Sequence, residues 1–555
     1  MERARVSFTF DGRRVEGVDG EPVAVSLLAA GRRTLSRSFR FHRPRGLMCS
    51  TGQCGWCECE VDGRPSVRTC RLPVREGMVV RGEHAWPSVE RDLLRVLDLG
   101  SRFVPPTFYH HRFLRPRALR KWYLDVIRWF GGRGRLGDGS SVGRVARRVL
   151  QDAPDVLVVG GGAGGLSAAI AAAEGGARVL VVEAEAAPAR AGGAGGAGGA
   201  GDGDGELLAL ARAALGVEVR FGTVATGWYG AMVTAVDGET IWEIRPRAIV
   251  AAMGTYELVP AVPGSDRPGV IGARLAGRLL TEHRVLPGER AVLVGDGVEL
   301  TAVGAALRDA GAAVTGPIPT TALQEVGGRG AVAWVKYIGD DGAARRESAD
   351  IVVFGDRTPN LDLVLAAGGR VGWVDARLAA QTDPDGRTSV SGLFVVGDTA
   401  SRGPEAAAEA GRRAGRAAAE FARLASGAQE QIDRGRPSAE AATRATRTGD
   451  PARSPTDGQP PKHGSPHAVL CFCEDVRGWE IQAERTAGYQ DPELVKRRTG
   501  ALTGPCQGKY CLSAVTCALN DGNVATPSTG DVLLPTGRPP LRPLRLGDLV
   551  VEDPA

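Results

Sequence analysis

Unbroken apolar runs that stop abruptly at glycine punctuate the middle of the chain and predict buried strands feeding tight turns. Asp155-Val-Leu-Val-Val-Gly160 leads through Gly-Gly162-Ala-Gly-Gly165 into an Ala-rich helical stretch. Arg178 to Val182 is a second strand of this kind, ending at Glu183. Ile249-Val-Ala-Ala-Met-Gly254, Arg290-Ala-Val-Leu-Val-Gly295 and Gly392-Leu-Phe-Val-Val-Gly397-Asp398 repeat the pattern downstream. Near the start the rhythm changes to alternation: Val6-Ser-Phe-Thr-Phe10, then Asp11-Gly12 and a run from Arg14 to Val18, which reads as a hairpin. Near the end, Glu480 to Arg485 and Pro492 to Arg498 predict two short helices, with Asp491 as the N-cap of the second.

Other stretches are defined by what they lack. Val156 to Ala173 is uncharged and long enough to be taken for a membrane span. Its glycines at 160, 161, 162, 164 and 165 make it strand, turn and helix instead, so no transmembrane segment is expected. Met1 to Phe10 has no apolar signal core, and a cytoplasmic protein is expected. Arg190 to Gly205 repeats Ala-Gly-Gly and reads as a flexible loop. From about 426 to 466 the chain is rich in Pro, Ser, Thr, Arg and Asp, a composition that cannot bury enough apolar surface to offset ordering. That segment is expected to be a disordered linker.

Composition changes the picture only modestly. At 555 residues the chain is too long for one core, and its 43% hydrophobic and 24% charged content is ordinary for a globular protein. A net charge of +5 on so large a surface does not argue for nucleic acid. Residues 99–150 are basic and aromatic, with Phe108-Tyr-His-His-Arg-Phe113 and then Trp122, Tyr123, Trp129 and Phe130. They read as a helical connector whose rings pack on the next domain. The 78 glycines suit nucleotide-cradling turns.

The chemistry starts with those turns. Strand, G-x-G-x-x-G at Gly160, Gly162 and Gly165, Ala-rich helix and the acid Glu183 together form a dinucleotide fingerprint. The glycines admit a pyrophosphate at the helix N-terminus, and the acid takes ribose hydroxyls. Two-domain flavoprotein reductases resemble the downstream pattern. In them the Asp of the last Gly-Asp strand, here Gly397-Asp398, binds the ribityl chain of FAD, and an A-T-G strand corresponds to Ile249 to Gly254, with Met253 in place of Thr. The strand at Arg290 enters Gly295-Asp-Gly297-Val-Glu-Leu300, where the third glycine is lost, and the next strand ends at Thr315-Gly316 without an acid. That fold is expected to be kept, while its incomplete fingerprint weighs against NAD(P). No C-x-x-C or C-x4-C lies inside either nucleotide fold, which excludes a flavin-adjacent redox dithiol. No nucleophile elbow, Walker loop or His-rich pair is present, and no residue is named as a catalytic acid or base.

The ten cysteines fall into two sets with none between Cys70 and Cys471. Cys49, Cys54 and Cys57 have C-x4-C-x2-C spacing, with Cys70 beyond, the plant-type [2Fe–2S] pattern. Four thiolates also suit zinc, but zinc knuckles favour paired C-x2-C units. Cys471-Phe-Cys473 and Cys506-Gln-Gly-Lys-Tyr-Cys511 bracket the two C-terminal helices, and spacing alone leaves zinc and a second [2Fe–2S] cluster open there. Cys59 and Cys517 are spares, expected to pack rather than ligate.

The order of these parts resembles the α (large) subunits of heteromeric sarcosine oxidase and their relatives: hydrogen cyanide synthase, opine oxidases and dye-linked proline or hydroxyproline dehydrogenases. Pro44-Arg-Gly46, Phe108 to Phe113, Pro263-Gly-Ser-Asp-Arg-Pro-Gly-Val270, Cys471-Phe-Cys-Glu-Asp475, Gly504-Pro-Cys-Gln-Gly-Lys-Tyr-Cys511 and Arg538-Pro-Pro-Leu-Arg-Pro543 carry the likeness. The resemblance implies an α/β flavoprotein with two dinucleotide-binding folds, an N-terminal β-grasp ferredoxin-like domain and a small helical C-terminal domain like bacterioferritin-associated ferredoxin. The expected boundaries are 1–98 for the first cluster domain, 99–150 for the connector and 151–425 for the FAD domain with its insert at about 285–384. The linker at 426–466, the second cluster domain at 467–525 and a tail at 526–555 complete the chain. Sarcosine oxidase α subunits have generally lost the first-loop cysteines and continue into a folate-binding domain. Neither feature is seen here, so the dye-linked or cyanide-synthase branch is expected.

What the resemblance implies for function is an electron-transferring subunit with FAD and two [2Fe–2S] clusters. It would be paired with an amino-acid-oxidase-like β flavoprotein and would pass electrons to an external acceptor. FAD would be held by Gly160, Gly162, Gly165, Glu183, Gly254, Gly397 and Asp398. The clusters would be held by Cys49, Cys54, Cys57 and Cys70, and by Cys471, Cys473, Cys506 and Cys511. The rival readings are a self-contained NAD(P)H-dependent reductase and a non-catalytic iron–sulfur or zinc scaffold.

Overall fold

The computed structural model describes residues 4–100, 117–130, 147–185, 202–214, 216–238, 240–374, 377–399, 404–434, 465–519, 532 and 534–544. At the start, strands Arg5–Phe10 and Arg13–Val18 pair antiparallel from Arg5 opposite Val18 to Phe10 opposite Arg13. The turn between them works because Asp11 and Gly12 both take positive φ, at 48° and 77°. Strand Val79–Gly82 lies parallel to the first strand, and Glu58–Val61 and Arg64–Arg68 complete a mixed five-stranded sheet. Helix Val23–Ala29 closes the sheet with Val23, Ala24, Val25 and Leu27 buried against Phe8, Phe10, Val15 and Val80. This is the ferredoxin-like domain.

A buried carboxylate gives this domain a pH signature. Glu83 is 2% exposed, and burial pushes its pKa up to about 7, although the Ser66 N–H donates to it. The fold therefore keeps Glu83 protonated where the unfolded chain ionises it. Stability is full below the ordinary carboxylate pKa of about 4.3 and is lost as pH rises to about 7, at up to about 1.4 kcal/mol per pH unit. Glu83→Gln should flatten that slope in urea unfolding followed between about pH 5 and about pH 7.

The central sheet is wholly parallel: Val217–Arg220, Val179–Val182, Val156–Val159, Ala248–Ala251 and Leu393–Val395, in that order. Its strands read as unbroken apolar runs because both faces are covered. Helix Ala163–Glu174 packs one face together with the long helix Pro404–Arg434. Small residues let the two approach: a Cβ on Gly411 would sit 2.2 Å from the Gly164 carbonyl oxygen, and one on Gly415 2.2 Å from that of Ala168. A second parallel sheet of Val270–Gly272, Ile351–Phe354, Arg290–Val294 and Ala313–Ile318 forms the inserted nucleotide fold.

The C-terminal domain has the short hairpin Val469–Cys471 and Val476–Arg477, with helices Gly478–Thr486, Pro492–Thr499 and Leu512–Leu519. Asp491 caps the middle helix by accepting from the N–H groups of Glu493 and Leu494.

The helix that follows Asp398 continues to Arg434, past the point where composition begins to look linker-like. In the connector, helix Arg117–Phe130 leaves Trp122 61% exposed, so that ring does not pack as its composition suggests. The Phe108 to Phe113 run, most of the Ala-Gly-Gly repeat and 435–464 lie outside the described residues. Among those described, no helix is long and apolar enough to cross a membrane.

Candidate functional site

The first nucleotide turn is shaped by backbone crowding on one side and space on the other. A Cβ on Gly160, at φ 111°, would lie 2.2 Å from the Ala252 carbonyl oxygen, and one on Gly165 2.0 Å from that of Gly160. Gly162 differs: it is the N-cap of helix Ala163–Glu174, has ordinary extended geometry, and a Cβ there would meet nothing within 4 Å. No side chain caps that helix, so its first N–H groups face open space, the donor set a pyrophosphate needs. Glu183 is braced at the rim, with one carboxylate oxygen accepting from the Gly161 N–H at 2.6 Å and the other from the Glu185 N–H at 2.8 Å. Gly254 and Gly397 both have positive φ, and the Thr399 hydroxyl donates to the Gly254 carbonyl at 3.1 Å, tying those two strand ends together. Asp398 lies beside them with Arg357 Nη1 at 3.5 Å. These residues fit FAD. Gly162→Val should therefore leave the fold's stability within about 1 kcal/mol and abolish flavin binding, read from the absorbance of the purified protein. Gly165→Ala should instead destabilise the fold itself.

The first cysteine loop brings its four thiols together as two pairs. Cys49 lies next to Cys54 and Cys57 next to Cys70, and the pairs are near enough for their charges to interact. Hydrogen bonds from Cys54 and Thr51 outweigh burial and hold the Cys49 thiol well below its ordinary pKa. Burial and the Cys49 partner push Cys54 up, and the Cys57 partner with burial does the same to Cys70. Backbone N–H groups of Trp56, at 3.5 Å from Cys54 Sγ, and of Gly52, to Cys70, point at the sulfurs. Gly52 and Gly55, both at φ 75°, make that loop geometry possible. Backbone N–H donors aimed at the sulfurs of a loop with plant-type spacing suit a [2Fe–2S] cluster.

The second set is similar. Cys473 lies next to Cys506, Cys471 next to Cys511, and Cys506 next to Cys511 as well. Its partners Cys473 and Cys511 hold Cys506 well below its ordinary pKa, helped by the charge of Lys509. The spares behave as packing residues. Cys59 is fully buried with its thiol on the Leu35 carbonyl, and burial pushes Cys517 up to about 12 inside the core of the FAD fold.

The two sets, remote in sequence, touch. Cys473 Sγ lies 3.8 Å from the Cys54 carbonyl oxygen, and Trp56 meets Phe472 edge to face with centroids 5.2 Å apart. One apolar core holds Cys49, Cys54, Trp56, Tyr256, Phe472, Cys506 and Tyr510. A buried ionic lock fixes this contact. Arg45 reaches Asp266 of the FAD domain at 2.9 Å and Asp475 of the C-terminal domain at 2.6 Å, and Arg40 reaches Glu480 at 2.7 Å. Arg45 and Arg43 keep the Asp266 carboxyl below its ordinary pKa against the effect of burial. Glu257, on the strand that follows Gly254, is pushed up to about 8 by burial, opposed by Arg274 and reinforced by the charge of Cys49, so it stays neutral at pH 7.

The second nucleotide turn also opens a helix, Val298–Asp309, with Gly297 as an N-cap that has free space above it. Leu300 is 1% exposed, and its side chain fills the helix–sheet contact that the third glycine otherwise provides. Strand Ala313–Ile318 carries Thr315 to Glu347 by hydrogen bond and presents no acid at its end.

Three family profiles match the chain: a 2Fe-2S iron-sulfur cluster binding domain over residues 3–85, an FAD binding domain over 155–242 and a sarcosine oxidase A3 domain over 465–552. The chain is 29% identical to the alpha subunit of sarcosine oxidase from Rhizobium meliloti (strain 1021) over 98% of its own length and 57% of that protein. It therefore spans little more than half of that relative. It is 27% identical to the opine oxidase A-subunit of Agrobacterium tumefaciens (strain Ach5), over 72% of this chain and 92% of that one. The crystal structure of L-proline dehydrogenase from P. horikoshii superposes with a TM-score of 0.68 at 19% identity, covering 99% of this chain and 98% of that one, which shows a shared fold. The N-terminal domain is thus a 2Fe–2S domain and the central one an FAD-binding domain.

Proposed function

Because the chain is a homologue of the sarcosine oxidase alpha chain and of the opine oxidase A-subunit, we propose that it is the electron-transferring subunit of a heteromeric dehydrogenase or oxidase acting on CH–NH donors. The donor is a secondary amine or amino acid of the sarcosine, proline, hydroxyproline, glycine or opine class. Its partner is an amino-acid-oxidase-like β flavoprotein that holds the substrate, and an external acceptor takes the electrons. The observation that carries this reading is the direct contact of the two thiol sets, Cys473 Sγ lying 3.8 Å from the Cys54 carbonyl, in one core with the strand that leaves the FAD fold at Gly254. Two cysteine sets in direct contact support electron transfer between bound clusters over a scaffold role.

FAD takes electrons singly or in pairs and [2Fe–2S] clusters carry them singly, so the bound groups link two-electron amine chemistry to one-electron transfer. The chain's own residues supply binding, orientation and exclusion of water. Gly160, Gly162 and Gly165 admit the FAD pyrophosphate and Glu183 receives the ribose. Gly254, Gly397 and Asp398 bound the flavin end. Cys49, Cys54, Cys57 and Cys70 hold one cluster; Cys471, Cys473, Cys506 and Cys511 hold the other. Glu257, neutral at pH 7, adds no further negative charge beside Cys49. None of the ten cysteines is tied up in a disulfide, so both sets are available as ligands, and a cytoplasmic setting is part of the proposal.

The rival is a stand-alone NAD(P)H reductase, favoured by the open N-cap at Gly297 and opposed by Leu300 and the missing acid. Anaerobic NADH added to the isolated, cofactor-loaded chain decides between them. The expected result is a yellow flavin band that NADH leaves unchanged and dithionite bleaches. Fast bleaching by NADH would overturn the proposal in favour of the reductase.

A further inference from the structure

The chain leaves the FAD fold for the insert at Thr255–Glu257 and returns at Arg357–Pro359, and these two short strands pair antiparallel with Glu257 opposite Arg357. Arg357 therefore stands at the crossing between the two nucleotide folds, and one of its nitrogens serves both. Nη1 lies 3.5 Å from Asp398 Oδ2 at the flavin end and 3.4 Å from Glu299 Oε2 in the insert. Glu299 belongs to the first turn of helix Val298–Asp309, beside the Leu300 that replaces the third glycine. An acid in a first turn is ordinarily a solvated partner of the helix dipole. This one is 4% exposed and turned inward onto two arginines. Its Oε1 has Arg274 Nε at 3.9 Å, and Arg274 is itself anchored by donating to the Thr255 carbonyl at 2.8 Å and hydroxyl at 2.6 Å.

We propose that Arg357 is a positioning residue for FAD: it holds the Asp398 carboxylate in place, and Glu299 competes for the same nitrogen, so the insert sets how firmly Asp398 is held. The proposal rests on the reading that the first nucleotide fold binds FAD with Asp398 at its flavin end. It gives the insert, whose fingerprint is incomplete, a role that needs no nicotinamide. A carboxylate already pinned by a charged donor has little freedom left to lose when a ligand binds, and that preorganisation raises affinity. Nη1, drawn toward both acids, meets neither at the about 2.7–2.9 Å of an undivided charged hydrogen bond. Removing the Glu299 charge frees it to close on Asp398.

The test is a fluorescence titration of FAD into the full chain, stripped of flavin with its iron retained. It compares wild type, Arg357→Gln, Arg357→Lys, Glu299→Gln and the double variant Arg357→Gln/Glu299→Gln. Arg357→Gln should raise the Kd for FAD about five- to tenfold, the cost of ordering one freed side chain. Arg357→Lys, which keeps the charge, should recover part of that loss. Glu299→Gln should act in the opposite direction and lower Kd about two- to threefold, and the same change made in the Arg357→Gln chain should leave Kd where it is. A merely structural role for the network would weaken binding in both single variants. An unmoved Kd in Arg357→Gln, weaker binding in Glu299→Gln, or a Glu299→Gln effect that is the same with and without Arg357 would each overturn the proposal. A stripped wild-type chain that takes up no FAD would instead overturn the reading on which the proposal rests.

Discussion

Replacing Cys54 and Cys57 with serine should remove one of two [2Fe–2S] signals from the EPR spectrum of the reduced chain and lower its iron content by about half. The thiol pairing gives the reason. Cys54 lies next to Cys49 and Cys57 next to Cys70, so the double change removes one sulfur from each of the two thiol pairs that would hold the cluster. Serine keeps the size of the side chain, and loss of iron therefore reflects ligation rather than a cavity. The C-terminal signal should survive, because its four cysteines lie on other segments, at the end of strand Val469–Cys471 and in the turns at Cys473 and from Cys506 to Cys511. Cys59→Ala serves as the internal contrast. Cys59 sits in the sheet beside Cys57, yet its thiol is spent on the Leu35 carbonyl, and its loss should leave both signals in place. An unchanged spin count in the Cys54/Cys57 variant would remove the first assignment.

Arg45→Met should destabilise the folded chain by about 3–5 kcal/mol, the range for breaking a buried ion pair by deleting one partner. Arg45 is 2% exposed and holds two carboxylates at once, Asp266 at 2.9 Å and Asp475 at 2.6 Å, with Asp475 fully buried. It also donates to the Phe472 carbonyl, next to Cys473, at 3.1 Å. The intact triad need not add much net stability, because desolvation offsets most of the attraction. Its removal takes the closest cation from both buried carboxylates and leaves Arg43, 3.9 Å from Asp266, as a weaker partner. Chemical denaturation of the loaded chain measures the cost. Adding Asp475→Asn should recover part of it, since one stranded charge is then gone. A loss below about 1 kcal/mol in the single variant, the level of an exposed pair, would contradict the lock.

The sequence makes local chemistry legible and long-range assembly illegible. The apolar runs ending in glycine name the strands of both nucleotide folds, because parallel strands buried on both faces must be apolar throughout. The spacing of Cys49, Cys54 and Cys57 names thiols that share a loop, since a loop of that length confines them. Nothing in spacing shows that Cys54 and Cys473 end in contact, because that depends on how three domains pack. Arg45 and Asp475 lie inside the Pro44-Arg-Gly46 and Cys471-Phe-Cys-Glu-Asp475 stretches, and Tyr510 inside Gly504 to Cys511. Those segments stand out in the sequence as likenesses, and the fold supplies the physical reason that they meet: they are the faces on which the two cysteine domains dock. Composition is a weaker guide at 426–434, where the polar stretch Ser-Gly-Ala-Gln-Glu-Gln-Ile-Asp-Arg, half of it good helix formers, continues the helix from Pro404. Helix propensity there outweighs the lack of apolar residues. It is weaker again at Trp122, a large apolar ring that the fold leaves largely in solvent.

The central claim is that one chain holds a flavin and two iron–sulfur centres in electrical contact. An anaerobic titration of the isolated chain with dithionite, followed by flavin absorbance and EPR, tests it most directly. The account predicts uptake of about four electrons per chain, two by FAD and one by each [2Fe–2S] cluster. Uptake of about two electrons, with flavin bleaching and no cluster signal, would contradict it and return the cysteine sets to zinc, which accepts none.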